Sequence, residues 1–268
     1  MDKKLMEMSL EKKIGYAQEI IRQALDKYQK TALAWTGGKD STLLLWLVRE
    51  VCLQDHRNLP SIIFINEGDT FEEILEFIDE VSKRWDFEVI ELKNEDVLKQ
   101  VSQIGDIVKV EKLNEVNRGE LESLGFYEEE FPFEPESFVG NHLMKTLPLK
   151  LFIEDNGIEA LFIAIRWDEQ EARKNEEYFS EREDPYHIRV HPILHFTERD
   201  VWNTILKYGI PFNSLYAQGY RSLGAKSTTF KVADIPAWEQ DLENTSERAG
   251  RAQNKEAIMQ RLRALGYM

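Results

Sequence analysis

The chain has 268 residues, of which 42% are hydrophobic and 31% are charged. This balance is typical of a folded globular protein and excludes an intrinsically disordered chain, which carries too few apolar residues to form a core. The 49 acidic and 34 basic residues give a net charge of −15, so we expect no binding to nucleic acid, which requires clustered basic residues.

Cysteine content and hydropathy exclude further classes. The one cysteine, Cys52, cannot form a disulfide within the chain and leaves too few thiolates for an iron–sulfur cluster. No apolar run approaches the roughly 18–20 residues that cross a bilayer. The first residues lack the apolar stretch of a signal peptide. We therefore expect a cytoplasmic protein without membrane contact.

In chain order, the hydrophobic pattern alternates between helices and strands. Apolar residues at helical spacing predict helices over 9–29, 41–53, 70–84, 137–156, 197–208 and 254–265. Short apolar runs predict buried strands over 31–35, 61–65, 87–90 and 160–165, with a short strand or turn over 187–192. This alternation indicates an α/β fold: a parallel, twisted sheet flanked by helices on both faces.

The same pattern suggests a division of the chain. Residues 1–210 are predicted to form the α/β domain, within which the acidic and less regular residues 104–136 form an insertion or a lid. Residues 211–268 are predicted to be an irregular C-terminal extension that completes the substrate site. Parallel sheets bind ligands at the carboxyl ends of their strands, where 36–41, 66–70 and 166–167 are expected to meet.

The most informative motif follows the first predicted strand. It is the hexapeptide Thr36-Gly37-Gly38-Lys39-Asp40-Ser41. Glycines let the backbone approach an anion, and the N–H groups of such a turn and of the following helix converge on a phosphate. Lys39 adds a positive charge, and Thr36 and Ser41 add hydroxyls. With two glycines before the lysine, the hexapeptide is not the P-loop G-x-x-x-x-G-K-S/T.

The hexapeptide resembles the pyrophosphate-binding loop (PP-loop) of the nucleotide α-hydrolases, usually written S-G-G-K-D-S. The resemblance implies a Rossmann-like fold, cleavage of ATP between its α and β phosphates, and transfer of AMP to a substrate with release of pyrophosphate. It also covers relatives that bind an adenylylated sulfate instead of ATP.

Segments over most of the chain resemble one branch of this superfamily, which holds phosphoadenylylsulfate reductase and the small, catalytic subunit of heterodimeric ATP sulfurylase. The matching segments are 66–73 (family D-T-G-x-x-F-x-E), 144–149 (K-T-x-x-L), 166–173 (R-R-D-E-x-x-x-R), 191–202 (H-P-I…W-T-E-x-D-V-W), 220–224 (R-S-L-G), 245–251 and 265–267. The last two are similar to the sulfurylase subunit in particular. Asn66 replaces the leading aspartate of the first segment.

This resemblance implies a set of site residues. The catalytic residues are predicted to be Lys39, Arg166, Arg173 and Arg221. Nucleotide binding is assigned to the hexapeptide together with Asn66 and Gly68. The substrate anion is assigned to His191, Lys226, Arg248 and Arg251.

The arginine spacing gives independent expectations. Arg166 and Arg173 are expected to leave a strand end and enter a helix two turns apart, where both can bind an anion bidentately. Arg248 and Arg251 are spaced to share one helical face. We expect Arg166 to support little of the core. The structural alternative for each arginine is an ion pair with a local carboxylate.

The positions of missing cysteines distinguish functions within the branch. Cluster-bearing reductases have C-C ahead of the K-T segment and C-x-x-C after R-S-L-G, where this chain has Gly140-Asn141 and Ala225-Lys226-Ser227-Thr228. Residues 245–268 also lack the nucleophilic cysteine of the reductases. We therefore expect no Fe–S cluster and disfavour cysteine-dependent reduction.

Adenylyl transfer needs no protein nucleophile, because sulfate itself attacks the α-phosphorus of ATP. We therefore predict a sulfate adenylyltransferase-like ATP α-hydrolase that uses ATP and Mg²⁺, with Asp40 as a contributor to the metal and the other ligands open. The resemblance implies a large GTPase subunit as partner, and a homo-oligomer is the alternative. Two other functions stay open: an adenylating enzyme with another acceptor, and a non-catalytic module that binds adenylyl nucleotides.

Overall fold

The computed structural model describes residues 1–251. Eight strands lie in this range: β1 Thr31–Ala34, β2 Ser61–Ile65, β3 Val89–Leu92, β4 Ile107–Lys109, β5 Glu130–Pro132, β6 Ala160–Phe162, β7 Phe179–Glu183 and β8 Tyr186–Val190. Six of them form one sheet in the order β3-β2-β1-β6-β8-β7, and β4 and β5 form a separate two-stranded sheet.

The central strands of the large sheet are parallel, as predicted. On β1, Leu33 lies opposite Ile62 of β2 and Phe162 of β6. The predicted strand or turn over 187–192 is β8, which is parallel to β6. Its antiparallel partner β7 was not predicted, because its sequence Phe-Ser-Glu-Arg-Glu is that of a polar edge strand without an apolar run.

The helices in the described residues confirm most of those predicted from the spacing of apolar residues. They are α1 Lys3–Met6, α2 Leu10–Lys27, α3 Lys39–Gln54, α4 Glu72–Trp85, α5 Glu95–Leu98, α6 Glu115–Ser123, α7 Phe138–Asn141, α8 Leu147–Asn156 and α9 Glu198–Tyr208. A π-helical turn, His142–Thr146, joins α7 to α8 without a gap, so the helix predicted over 137–156 is confirmed, with a change of helix type inside it. The helix predicted over 254–265 lies outside the described residues.

Helices cover both faces of the sheet. Successive strand residues point to opposite faces, and Leu33 belongs to a large apolar cluster with residues of α2, α3, α4 and α9. Its neighbour Ala32 belongs to a second cluster with Phe152 and Ile153 of α8. This arrangement explains why the central strands have apolar residues at consecutive positions.

Residues 104–136 contain the small β4–β5 sheet and α6. Their apolar residues, including Val108, Leu121 and Phe131, form a third cluster with Leu143 and Met144. The segment thus has a hydrophobic centre apart from the main core. Its assignment as an insertion or a lid stays a prediction.

Beyond α9 the chain is irregular up to residue 251. The elements here are the 3-10 helices Ser214–Gln218, Lys226–Thr228, Ala237–Glu239 and Glu247–Gly250, with an isolated bridge between Thr229 and Arg251. Across residues 1–251, none of the helices combines the length and apolar character required to span a bilayer.

Candidate active site

The hexapeptide forms the turn between β1 and α3. Gly37 has a φ of +72°, a conformation that residues with a Cβ rarely adopt. A Cβ placed there would also lie only 3.0 Å from Cγ2 of Ile74 on α4. Gly38 is the N-cap residue of α3. The glycine at position 37 is therefore required by both backbone conformation and space.

Hydroxyl groups hold the turn in place. The backbone N–H of Thr36 donates to Oγ of Ser41 at 3.2 Å, and the two hydroxyl oxygens are 3.0 Å apart. The N–H of Gly38 donates to Oγ1 of Thr36 at 3.3 Å. The N–H of Lys39 donates to the hydroxyl of Tyr216 at 2.8 Å. The turn is thus organised by protein groups, and a phosphate would replace some of these acceptors.

The Lys39 side chain is buried within a polar cluster. Its Nζ lies 2.5 Å from Oε1 of Glu247 and 3.1 Å from the carbonyl oxygen of Arg221. Carboxylate oxygens of Asp40 and Glu198 lie 3.4 and 3.7 Å away. Burial acts to lower the pKa of Lys39, but the surrounding carboxylates outweigh it and raise the pKa above its ordinary value. Lys39 is therefore a fixed positive charge.

Arg166, which follows β6, meets Lys39 at the same point. Its guanidinium contacts the carboxylates of Asp40 and Glu247, and its Nε donates to Asp168 at 2.9 Å. The residue is 0% exposed. The expectation that Arg166 supports little of the core is therefore wrong, since its buried guanidinium holds three carboxylates together.

Glu247 joins the two cations. Burial acts to raise the pKa of its carboxyl group, but the charges of Arg166 and Lys39 hold the pKa well below its ordinary value. The pKa of the nearby Glu198 is shifted in the opposite direction, because burial and the charge of Glu247 raise it. Glu247 is thus the carboxylate of this cluster with the strongest preference for the charged form.

Arg221 contributes indirectly. Its Nε and Nη2 donate to the carboxylate of Glu198, and its remaining N–H groups reach the carbonyl oxygens of Asp241, Leu242 and Thr245 and the Thr245 hydroxyl. All three nitrogen atoms are therefore used within the protein. Arg221 holds residues 241–245 against α9 and orients Lys39 through its own carbonyl group.

A second group of predicted residues gathers around Glu169. Arg173 and Arg248 both pair with its carboxylate, the latter at 3.2 Å. The expectation that Arg166 and Arg173 enter a helix is wrong: Arg173 ends the 3-10 helix Glu171–Arg173, because the chain makes one short turn here and not a helix. The two arginines therefore do not share a helical face.

Arg251 lies apart from Arg248. It pairs with Glu136 at 3.2 Å and donates to the hydroxyl of Thr229 at 3.4 Å. Its guanidinium lies against Gly224, where a Cβ would overlap it. The helical face expected for Arg248 and Arg251 is not formed, since Arg248 is in a 3-10 helix and Arg251 follows it in extended conformation.

The remaining predicted anion ligands are separate from the Lys39 cluster. Lys226 is about half exposed, and its Nζ lies 4.0 Å from Glu72 at the start of α4. His191 is buried; its Nδ1 donates to the carbonyl oxygen of Glu177 at 2.8 Å, and burial lowers its pKa to about 3. His191 is thus a neutral, packed side chain.

The loop after β2 is organised by Asn66. Its Oδ1 accepts from the N–H of Gly68 at 3.0 Å and from the hydroxyl of Thr70 at 3.3 Å, and its Nδ2 donates to Glu91 at 2.8 Å. Gly68 has a φ of +83°. Asn66 therefore shapes this loop by hydrogen bonding, a role that does not require the aspartate of the family pattern.

Four residues of the cluster were not predicted: Asp168, Glu198, Tyr216 and Glu247. Both glutamates neighbour residues that were singled out, but in a chain with 49 acidic residues a glutamate carries little information. The ring of Tyr216 also lies 5.7 Å from Nζ of Lys39. The sequence pattern predicted no role for this tyrosine.

The described residues provide neither a reactive thiol nor a set of metal ligands. Cys52 is 2% exposed, and burial raises the pKa of its thiol to about 11. Within the described 251 residues, no three His, Cys, Asp or Glu side chains are grouped in a way that could hold a metal ion. Cys52 is therefore not suited to thiolate chemistry.

Sequence comparisons identify the family of this chain. Residues 30–231 match the phosphoadenosine phosphosulfate reductase domain. A protein named sulfate adenylyltransferase subunit 2 2 from Shewanella sediminis is 26% identical over 271 residues, covering 92% of this chain and 77% of that protein. Sulfate adenylyltransferase subunit 2 from Sulfurovum sp. is 25% identical over 252 residues, with coverages of 85% and 74%.

Solved structures share the fold. FMN adenylyltransferase from Candida glabrata in complex with ATP has a TM-score of 0.64 at 17% identity and covers 94% of this chain and 93% of its own. Phosphoadenylyl-sulfate reductase from Candida auris in a phosphate complex has a TM-score of 0.59 at 18% identity, with coverages of 85% and 93%. Since the domain match spans more than half of the 268 residues, the chain belongs to the phosphoadenosine phosphosulfate reductase domain family.

Proposed function

We propose that this protein is a nucleotidyltransferase that transfers AMP from ATP to sulfate, giving adenylyl sulfate and pyrophosphate. One observation carries the proposal. Lys39 and Arg166 meet at the N-terminus of α3, where they contact opposite sides of the Glu247 carboxylate. The helix start and the two cations are suited to holding pyrophosphate as it leaves. The naming of relatives as sulfate adenylyltransferase subunit 2 supports sulfate as the acceptor.

The proposed reaction needs alignment and charge but no covalent enzyme intermediate. A sulfate oxygen attacks the α-phosphorus of ATP, the bond from that phosphorus to the oxygen bridging to the β-phosphorus breaks, and its electron pair leaves with pyrophosphate. Lys39 and Arg166 neutralise the charge that develops on the departing group. Because Cys52, the chain's one cysteine, is buried, a mechanism based on a protein thiolate has no suitable residue.

The arginines that lie outside the Lys39 cluster are proposed to bind the sulfate. Arg173 and Arg248 already face one oxyanion, the Glu169 carboxylate, and guanidinium groups bind carboxylate and sulfate in similar geometry. Arg251 and Lys226 are proposed as secondary contacts near the loop after β2. Arg221 acts as a positioning residue through Lys39 and Glu198.

Mg²⁺ is proposed to accompany ATP. It prefers oxygen ligands, keeps several waters and is usually bound through one or two carboxylates and the substrate phosphates. The residues fit this mode: Asp40 presents a half-buried carboxylate beside the loop. When bound, the ion would neutralise phosphate charge. Lys39 and Arg166 hold the phosphates from the protein side.

The cellular setting is also a proposal. The relatives' name, subunit 2, implies assembly with another subunit, and we propose a large GTPase subunit as that partner because formation of adenylyl sulfate is strongly uphill. A homo-oligomer is the alternative assembly. We propose a cytoplasmic location, where ATP, sulfate and such a partner are available.

Exchange of labelled pyrophosphate into ATP tests the proposed function. We expect exchange that depends on sulfate, in the presence of a GTPase partner or without one. Arg166→Lys should reduce it by about a hundredfold, since lysine keeps the charge but not the fork of donors. Arg199→Lys is a matched control, because Arg199 pairs with exposed Glu243 at the surface.

Three outcomes would contradict the proposal. Release of orthophosphate and ADP would refute cleavage between the α and β phosphates. Exchange with a different acceptor, such as a small carboxylic acid or a flavin nucleotide, and none with sulfate would identify another adenylating enzyme. ATP binding without cleavage under any acceptor would identify a non-catalytic module.

A further inference from the structure

Glu247 occupies the position between Lys39 and Arg166. Its Oε1 lies 2.5 Å from Nζ of Lys39, and its Oε2 accepts from Nη2 of Arg166. Two oxygens of one anion thus bridge two cations, which is how two oxygens of a phosphate group would bind them. The carboxylate fills the place that the proposed function assigns to pyrophosphate.

The charge balance of the cluster opposes nucleotide binding while Glu247 is in place. Lys39, Arg166 and Arg221 provide three positive charges, and the carboxylates of Asp40, Asp168, Glu198 and Glu247 that pair with them provide four negative ones. The group therefore carries a net negative charge. A polyphosphate approaching it gains no attraction until a carboxylate leaves, and like charges inside a protein repel strongly.

The segment that carries Glu247 is attached by polar contacts. Within residues 243–251, Glu247 is the one buried residue, and the main apolar cluster of the described chain reaches no further than Leu242. The segment is held by ion pairs of Glu243, Arg248 and Arg251 and by hydrogen bonds from Arg221 to Thr245. A further hydrogen bond of 2.8 Å runs from the N–H of Phe230 to the carbonyl oxygen of Gly250.

These contacts make the segment exchangeable. No apolar side chain among 243–251 is buried, so its release exposes no hydrophobic surface. What it loses is the pairing of one carboxylate with two cations, and a phosphate ligand restores that pairing with more charge. Asp40 and Asp168 differ in this respect, because each lies on or beside the rigid elements α3 and α9.

We propose that Glu247 is the resident occupant of the anion site between Lys39 and Arg166, and that the pyrophosphate part of a nucleotide binds there by displacing it. This inference rests on the proposed function. Glu247 thereby favours highly charged ligands. A ligand with a single negative charge would only replace the charge of Glu247, whereas pyrophosphate brings several negative charges. The turn that carries Glu247 moves away as the ligand enters, while Arg248 and Arg251 keep their ion pairs with Glu169 and Glu136.

Binding of inorganic pyrophosphate, measured by titration calorimetry, tests the inference. Glu247→Gln keeps the shape of the side chain but removes its charge, so this variant should bind pyrophosphate at least about tenfold more tightly than the unmodified protein. Glu243→Gln is the matched control: the same substitution in the same segment, at an exposed ion pair with Arg199. Its affinity should stay within about twofold of the unmodified protein.

The opposite result would overturn the inference. If Glu247→Gln binds pyrophosphate equally or more weakly while Glu243→Gln is unchanged, Glu247 orients the two cations and does not compete for them. Failure of all three proteins to bind pyrophosphate or ATP would overturn the proposed function together with the inference. Tighter pyrophosphate binding by Glu247→Gln without sulfate-dependent exchange in the unmodified protein would support the inference and contradict the proposed function alone.

A second measurement uses the unmodified protein and so does not depend on the folding of a variant. Hydrogen exchange of the backbone amides in 243–251 should become faster when pyrophosphate is added, because the segment loses its anchor. Exchange in β1 should stay unchanged. Slower or equal exchange in 243–251 at saturating pyrophosphate would overturn the displacement.

Discussion

Trp35 and Thr42 close the base of the loop at the candidate active site. Nε1 of Trp35 donates a hydrogen bond of 2.9 Å to Oγ1 of Thr42, and both residues are 0% exposed. This contact joins the end of β1 to the first turn of α3 across the hexapeptide. The two ends of the loop are therefore fixed by the protein whether or not a ligand is bound.

Replacing Thr42 by valine tests this closure. Valine has nearly the same shape but no acceptor, so Nε1 of Trp35 would be buried without a partner. We expect the free energy of unfolding to fall by roughly 1–3 kcal/mol, measured by urea denaturation. A variant as stable as the unmodified protein would show that water or another group satisfies the indole.

Replacing Lys39 by alanine removes a charged contact to phosphate. We expect nucleotide affinity to fall by roughly 1.5–3 kcal/mol, measured by calorimetry. Lys83→Ala is the control, because Lys83 pairs with Asp79 on the exposed side of α4. Nucleotide affinity unchanged within about twofold in the Lys39 variant would refute the phosphate-loop interpretation.

His195 is expected to make stability depend on pH. Its Nε2 donates to the carbonyl oxygen of Lys13 at 3.0 Å, the Tyr178 hydroxyl lies 3.1 Å from its Nδ1, and burial lowers its pKa to about 4. In the unfolded chain, His195 binds a proton below a pH of about 6.5. In the folded protein it binds a proton only below a pH of about 4. Stability is therefore lost as the pH falls through this range.

The size of this effect can be measured. At pH of about 5, His195 alone should reduce the free energy of unfolding by about 2 kcal/mol relative to neutral pH. His195→Gln retains a donor for the Lys13 carbonyl group without titrating, so the difference between pH 7 and pH 5 should shrink by that amount. An equal pH dependence in both proteins would assign the effect to other groups.

The metal content provides a further prediction. With Cys52 as the one cysteine and its thiol buried, the purified protein should be colourless and carry no iron. Absorption spectroscopy and elemental analysis check this. Stoichiometric iron, or visible absorption typical of an Fe–S cluster, would contradict it.

Local patterns predicted the parallel sheet and the loop but not the charge partners. The sheet follows from apolar runs, and the turn at Gly37 follows from a short motif, so both depend on neighbouring residues. The pairing of Lys39 with Glu247 joins residues 208 positions apart, and no local pattern encodes such a contact. The same reason explains why Arg166 was expected to support little of the core, although carboxylates from three segments enclose it.

The distance of 208 residues between Lys39 and Glu247 also orders events during synthesis. At about 5–20 residues per second, Glu247 leaves the ribosome about 10–40 s after Lys39. Arg166 emerges in between, and β6 must pair with β1 before the two cations can meet. Glu247 is therefore the last of the three to be synthesised, and its ion pairs with Lys39 and Arg166 form only after both cations are present.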